Sequence, residues 1–361
     1  MEVIMVSYLD CIKRTQIIIP DVLSKFTERS KELREKWNPN INEIIMVGSG
    51  TSNTTAVTSQ LFMEQVSGLS VSTLLPNHFM KKSAYNKNAI YIFTSQSGTS
   101  IFTVECLNKA KEIGGLTLAI TGNEDNKLKS ASDIHVNMGC GYEEYGQRTI
   151  GYCTSVLTQM LVGLEIGLLR GHISEEKYNA YIEDASKLPF SQKEVVENAL
   201  TWFDCNKDAL INAKGYVFYG TGPLWGVALE GALKALEVVG KYLCVGYEMD
   251  DGLHGPTMGF TKEDNIIILD DGKNDVHYVK GLKDFIVNEL GNAFIIGETT
   301  KDNLDLAITL KTKYFYALEL APAIQVLAYR LAKDQGIDIP VLEGRVLPEY
   351  KYFSTHEGNV V

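Results

Sequence analysis

Closely paired cysteines are absent from this sequence. Its six cysteines (Cys11, Cys106, Cys140, Cys153, Cys205 and Cys244) are scattered and form no Cys-x-x-Cys motif. That excludes a disulfide framework or a cysteine-based zinc site and points to reduced thiols in a cytosol. Positive charge is also short: 34 Lys and Arg against 45 Asp and Glu leave a net charge of −11. Such a balance disfavours nucleic acid and anionic membrane as partners, though not a small phosphorylated ligand held by local dipoles. No apolar run reads as long enough for a membrane span. The opening Met1-Glu2-Val3-Ile4-Met5-Val6 lacks the basic segment and small-residue cleavage site of a signal peptide. What remains is 361 residues with 45% hydrophobic content, enough for about two domains with real cores. The expectation is a soluble, cytoplasmic α/β protein.

One stretch stands out. Thr94-Ser95-Gln96-Ser97-Gly98-Thr99-Ser100 follows the apolar run Ala89-Ile90-Tyr91-Ile92-Phe93 and precedes helical periodicity at Ile101, Val104, Leu107 and Ala110. Hydroxyls and a glycine between a buried strand and a helix start make an anion cradle, because the first helical N–H groups lack partners there. Read locally, the same residues also make an ordinary serine-rich helix cap. No lysine lies in the loop, which excludes a Walker-type nucleotide loop.

Two passages resemble each other. Ile44-Ile45-Met46-Val47 runs into Gly48-Ser49-Gly50-Thr51-Ser52, and Tyr216-Val217-Phe218-Tyr219 runs into Gly220-Thr221-Gly222-Pro223. Each reads as strand, Gly-x-Gly turn and helix, and two copies at domain-length spacing suggest duplication. Strands expected at Ser70–Leu75, Ile90–Thr94, Leu116–Thr121 and Ile134–Asn137 alternate with helices at 53–67, 99–113 and 126–131. In the second half, strands at Ile266–Leu269 and Ala293–Ile296 accompany helices at 224–240 and 275–290. The fold class expected is α/β: two tandem, doubly wound, flavodoxin-like parallel sheets with a helical N-terminal segment. The divisions expected are 1–37 (helical, with a break at Pro20), 38–187, a linker near 187–192 at Leu188-Pro189-Phe190, 193–345 and a tail at 346–361. Where the first half has its hydroxyl loop, the second has Leu269-Asp270-Asp271-Gly272. That segment is acidic, so only the first half should bind an anion.

Two further clusters carry chemistry. Glu230, Lys234 and Glu237 recur at i, i+4 and i+7 and share one helix face. They read as a site beside the Gly-x-Gly turn or as an exposed salt-bridged face. Beyond them, Asp250-Asp251-Gly252-Leu253-His254-Gly255-Pro256 reads as a loop. Its histidine is either an acid–base group near neutral pH or a turn residue bonded to backbone. In Gly141-Tyr142-Glu143-Glu144-Tyr145-Gly146-Gln147-Arg148-Thr149, Arg148 pairs with a phosphate or with Glu143 or Glu144. The internal ion pair is favoured locally.

Taken in order, Gly-Ser-Gly-Thr-Ser, Ser-Gln-Ser-Gly and Leu-Glu-Gly-Ala-Leu-Lys with a later His-Gly-Pro resemble the duplicated sugar isomerase (SIS) family over roughly residues 40–345. The pattern is similar to the isomerase half of glutamine–fructose-6-phosphate aminotransferase and to fructosamine-6-phosphate deglycases. The resemblance implies a phosphosugar site at Gly50, Thr51, Ser52, Ser95, Gln96, Ser97 and Ser100, with Arg148 beside it and Thr149 in place of a sugar-contacting serine. It implies that Glu237 moves a proton between C1 and C2, and that His254 opens the sugar ring from a neighbouring subunit. A homodimer with its site at the subunit interface follows. Glu230 and Lys234 fall at supporting positions. No metal or cofactor is implied.

Three departures shape the expected activity. Position 2 is Glu2 rather than a nucleophilic cysteine and the glutaminase part has no counterpart, so glutamine is not the expected nitrogen donor. The family's Ala-Ser-Thr-Lys is Arg148-Thr149-Ile150-Gly151. The tail, Val346 to Glu357, lacks the imine-forming lysine motif, with Lys351 only a poor substitute. The expected function is therefore a fructosamine-6-phosphate deglycase or amino-sugar-phosphate deaminase, working by proton transfer and imine hydrolysis. An aldose–ketose isomerase of phosphosugars and a non-catalytic phosphosugar sensor are the alternatives.

Overall fold

The structure, a computed structural model, describes residues 6–342 and 348–356. Readings that fall on residues 1–5, 343–347 and 357–361 lie outside the described residues. The chain opens with α1 (Tyr8–Arg29) and α2 (Lys31–Lys36). Pro20 does not break α1 but lies inside it. The residues Cys11, Thr15, Ile19, Val22 and Phe26, spaced three or four apart, are all buried, and that continuous face outweighs one missing amide donor.

The first sheet follows: β1 (Glu43–Val47), α3 (Thr51–Ser67), β2 (Ser70–Leu74), α4 (Pro76–Met80), β3 (Ala89–Thr94), α5 (Ile101–Ile113), β4 (Leu116–Thr121), α6 (Lys127–Ala131) and β5 (Ile134–Asn137). The strands lie in the order β2-β1-β3-β4-β5 and pair in parallel. Every residue of β3 is buried, as expected for a parallel strand covered by helices on both faces. Each fully buried Ile or Phe there adds about 1.5–3 kcal/mol.

The sequence order reverses between β1 and β3. The chain leaves β1 for β2 on one side and leaves β3 for β4 on the other, which opens a crevice at the strands' carboxyl ends. Both hydroxyl-bearing loops emerge there.

Next come α7 (Ile150–Leu169) and α8 (Glu175–Ala185). Contrary to the sequence reading, α7 is long and apolar enough to span a membrane, but 89% of its most apolar window is buried inside the protein. Polar side chains within it are bonded: Gln159 Nε2 donates to Thr55 Oγ1 (3.1 Å) and Thr94 Oγ1 (3.0 Å), and Ser59 Oγ donates to its Oε1 (2.7 Å). A buried network with its groups satisfied ties α3, β3 and α7 into one register.

The second sheet is built from α9 (Leu188–Ile211), β6 (Gly215–Gly220), α10 (Pro223–Val239), β7 (Leu243–Glu248), α11 (Met249–His254), β8 (Asp264–Asp270), α12 (Val276–Phe285), β9 (Asn292–Gly297), β10 (Leu306–Ala307) and α13 (Tyr316–Asp334). Its order, β7-β6-β8-β9-β10, repeats that of the first sheet. The duplication extends to backbone angles. Gly50 before α3 has φ 55° and ψ −130°, and Gly222 before α10 has φ 56° and ψ −122°. A positive φ at both turns is the reason a glycine stands at each.

Leu188-Pro189-Phe190 is not a linker but the first turn of α9, where a proline costs no hydrogen bond. By contacts among the described residues, 17–183 with 340–342 and 348–356 form one compact unit, and 184–339 with 6–16 form another. The tail thus belongs to the first unit.

Candidate functional site

In the first unit, a cavity of about 300 Å³ opens at the switch point between β1 and β3. Ser49, Gly50, Thr51 and Ser52 line one side, and Thr94, Ser95, Gln96, Ser97 and Ser100 the other, with Arg148 beside them. All seven residues assigned to the phosphosugar loops, together with Arg148, therefore meet in one place.

Local bonding shapes the loop after β3. Ser95 Oγ accepts the Gly98 N–H at 3.2 Å, and Ser97 Oγ accepts from the Thr99 N–H (3.3 Å) and hydroxyl (2.9 Å). Gly98 has φ 69°, and a Cβ there would meet the Asn126 side chain at 2.2 Å. No side chain caps α3 or α5, so the helix starts face the cavity as an anion site would.

Thr149 differs from its expected role. It is fully buried and does not line the cavity. Its hydroxyl donates to Glu143 Oε1 at 2.9 Å and its N–H donates to the same oxygen. Glu143 is the reason: its carboxylate also accepts the N–H groups of Ile150 (3.0 Å) and Gly151 (3.1 Å) and the Gln96 side-chain amide (3.2 Å). A buried carboxylate thus plugs the start of α7, where the helix dipole favours negative charge.

The ion pair expected between Arg148 and Glu143 or Glu144 does not form either. Arg148 Nη1 donates instead to the main-chain carbonyls of Glu143 (3.3 Å) and Tyr145 (3.2 Å). Glu143, with both oxygens already taken by α7 and Gln96, has none to spare.

Thr355 and His356, from the tail, complete the cavity wall, and sequence reasoning missed both. The Thr355 carbonyl accepts the Ile101 N–H at 3.1 Å, and His356 bridges to Ser100 in antiparallel fashion. No local spacing signals a contact between segments so far apart in the chain. Lys351 is exposed at the end of a short 3-10 turn and does not line the cavity.

Burial, with the nearby Arg148 charge adding, holds the His356 imidazole below the usual histidine value of 6.5. Burial lowers His135 too, with Glu124 opposing and Lys129 adding. The unfolded chain therefore takes up protons on these two groups at higher pH than the native chain. Stability is expected to fall as pH drops below about 6.5 and to go on falling towards their native values. Urea midpoints at about pH 7.5 and about pH 5.5 measure the loss. His135→Gln should narrow the gap, and an unchanged gap would remove His135 as a source.

The second unit holds the other cluster. Lys234 and Glu230 are buried on α10, and Lys234 Nζ lies 2.6 Å from Glu237 Oε2 and 3.5 Å from Glu230 Oε1. The shared helix face is real, but it is not an exposed one: only the Glu237 side chain, 39% accessible, reaches outward. His254 is not on a loop but is the last residue of α11, which Glu248 caps through the Asp250 N–H at 2.7 Å. Its imidazole makes no hydrogen bond or ion pair among the described residues, contrary to the alternative of a backbone-bonded turn histidine. At Asp270–Gly272 the second half keeps its acidic loop, and burial raises the Asp270 carboxyl above the usual range. Among the described residues no group of three or more His, Cys, Asp or Glu could hold a metal ion.

Residues 40–164 match the SIS domain family. The isomerizing glutamine–fructose-6-phosphate aminotransferase of Xylella fastidiosa is 24% identical over 311 residues, 83% of this chain and 50% of that protein. The chain thus spans about half the length of the curated relatives it matches. A crystal structure of a candidate phosphosugar isomerase from Clostridium difficile superposes with a TM-score of 0.88 at 26% identity, covering 96% of this chain and 98% of that one. The C-terminal domain of glucosamine-fructose-6-phosphate aminotransferase from Francisella tularensis gives 0.84 at 18% identity, covering 92% and 96%, a likeness of fold alone.

Proposed function

On the SIS-domain match of residues 40–164, we propose that the chain is a cytosolic fructosamine-6-phosphate deglycase or amino-sugar-phosphate deaminase. The hydroxyl-lined cavity between the two helix starts carries this reading. A hydroxyl surface backed by helix N-termini, with the Arg148 guanidinium beside it, suits a phosphate monoester, and anchoring the phosphate supplies binding energy remote from the reacting carbons.

In the proposal the phosphate rests on Ser52, Ser95, Gln96, Ser97 and Ser100. Glu237 transfers the proton between C1 and C2 and His254 opens the ring, reaching the site of a neighbouring subunit in a homodimer. Lys234 holds the Glu237 carboxylate in place from 2.6 Å, with Glu230 behind it. Thr149 drops out of the sugar contacts because its hydroxyl is spent on Glu143. Proton transfer in a bound ketosamine converts the enaminol to an imine, and water then divides it into hexose 6-phosphate and free amine.

Ser97→Ala is expected to cost about 1–3 kcal/mol of ligand binding, from lost hydrogen bonds to a charged group. Calorimetric titration with hexose 6-phosphate checks it, and the unphosphorylated hexose should bind far worse. Equal affinity for the two sugars would remove the phosphate site. A product assay with fructosamine 6-phosphates then tests the reaction. Aldose–ketose interconversion without amine release would make the protein an isomerase, and tight binding with neither reaction would make it a sensor.

A further inference from the structure

His356 reaches the hydroxyl-lined cavity from the tail, and main-chain contacts fix its place there. The Thr355 carbonyl accepts the Ile101 N–H at 3.1 Å, and His356 bridges to Ser100. The tail thereby takes one donor from the α5 start and sets an imidazole beside it. Nδ1 lies 3.0 Å from the Thr355 hydroxyl, while Nε2 makes no hydrogen bond or ion pair among the described residues. In the imidazolium both nitrogens donate, Nδ1–H to that hydroxyl and Nε2–H to whatever enters the cavity.

The cavity holds too little positive charge for a phosphate monoester. Near neutral pH such a group carries about −1.5 to −2. Among the described residues that line the cavity, Arg148 is the only cation and there is no carboxylate. Hydroxyls and helix starts add partial charges alone. Seated there, a dianion keeps close to one charge without a cation, and a partly buried charge without a partner is costly. From α5 the imidazole meets Ser100, Phe102 and Thr103, all uncharged, and from the segment before α7 it meets Arg148. In its own tail the titratable residues Glu349 to Tyr352 do not line the cavity. Burial first, then the Arg148 charge, keeps the free imidazole neutral at neutral pH. An incoming dianion opposes the second cause, because a nearby opposite charge favours the imidazolium.

We infer that His356 takes up a proton as the phosphate monoester enters and, as imidazolium, donates Nε2–H to it, which makes the tail the second cation of the phosphate site. This inference rests on the phosphate reading above and adds a proton to its binding step. That proton comes from the buffer, so the complex holds one more than free protein and free ligand together. Affinity therefore rises as pH falls through the histidine value of the complex. It levels off below that of the free protein, and below about pH 6 the ligand itself gains a proton.

Glucitol 6-phosphate tests it, because the ligand has no carbonyl and cannot react. Calorimetry on the full chain, in two buffers of different ionisation enthalpy, counts the protons. At about pH 7.5 the wild type should take up about 0.5–1 proton per ligand, and affinity should be about three- to ten-fold higher at about pH 7 than at about pH 8. His356→Gln should bind more weakly and take up none. His356→Lys carries a charge that does not titrate in this range, so it should recover binding and still take up none. Equal heats for the wild type in the two buffers overturn the inference. So does uptake that persists in His356→Gln, which would put the proton on the phosphate. Tighter binding by His356→Gln overturns it as well and would make the tail an autoinhibitory strap. Equal affinity for glucitol and glucitol 6-phosphate removes the phosphate reading and the inference with it, whereas a phosphate preference without proton uptake removes the inference alone.

Discussion

Glu237→Gln is expected to leave phosphosugar affinity intact and to lower turnover by about 10²–10⁴-fold, the usual share of a positioned general base. Glutamine keeps the side-chain length and can still accept the Lys234 ammonium proton now bonded at 2.6 Å, so the fold and the buried Glu230–Lys234 pair should be undisturbed. What it cannot do is take a proton from carbon. In deuterated water the wild type should therefore place label on C2, the former ketone carbon, of the hexose 6-phosphate product, and the variant should not. Undiminished labelling in the variant would reduce Glu237 to a salt-bridged helix residue. Subunit mixing extends the test. If His254 serves the neighbouring site, inactive His254→Ala and Glu237→Gln chains should regain activity together. Mixtures that stay inactive despite exchange would confine both residues to one chain.

Glu143→Ala should be the most damaging single change to stability in the first unit, at about 3–5 kcal/mol. The carboxylate accepts three main-chain N–H groups, the Thr149 hydroxyl and the Gln96 amide, and it is 2% exposed. Removing it strands those donors at the start of α7 without water to replace it. Thermal melts should show the loss as roughly 2–4 °C per kcal/mol for a unit of this size. Glu143→Gln retains one acceptor oxygen and should lose less. An Ala variant within about 0.5 kcal/mol of wild type would mean that the α7 start finds other acceptors.

The hydroxyl loop was legible because its signals are local. A buried apolar strand, a glycine and a serine cluster before a helical repeat all fall within about a dozen neighbouring residues. The Gly-x-Gly turns were legible for the same reason, and their shared backbone angles support the duplication read from them. Other parts were hidden by tertiary packing. β7 was missed because it is an edge strand whose apolar residues Leu243 and Val245 face outward, so burial did not mark it. The helix α13 was missed although Ala317–Ala328 is buried throughout, since Pro322 lies within it and reads as a breaker.

Thr149 shows the opposite failure. Its position matched the pattern, but a residue's place in a motif does not say which neighbour its hydroxyl will satisfy. Glu143 decided that, from six residues upstream. The same carboxylate explains why Arg148 is not paired as local reasoning favoured.

The hydrogen bond between the Ile101 N–H and the Thr355 carbonyl has a consequence for the order of synthesis. Residues 17–183 leave the ribosome early, yet the tail segment that joins them comes only after all of residues 184–339. The nascent first unit can form its sheet and hydroxyl loops while His356 does not yet exist. Closing so long an intervening chain carries an entropic cost that grows only slowly with length, but the contact cannot form before the chain is made. The last wall of the hydroxyl-lined cavity is therefore laid only after the whole second unit has been made, and until then the cavity stands open on the side of Ser100.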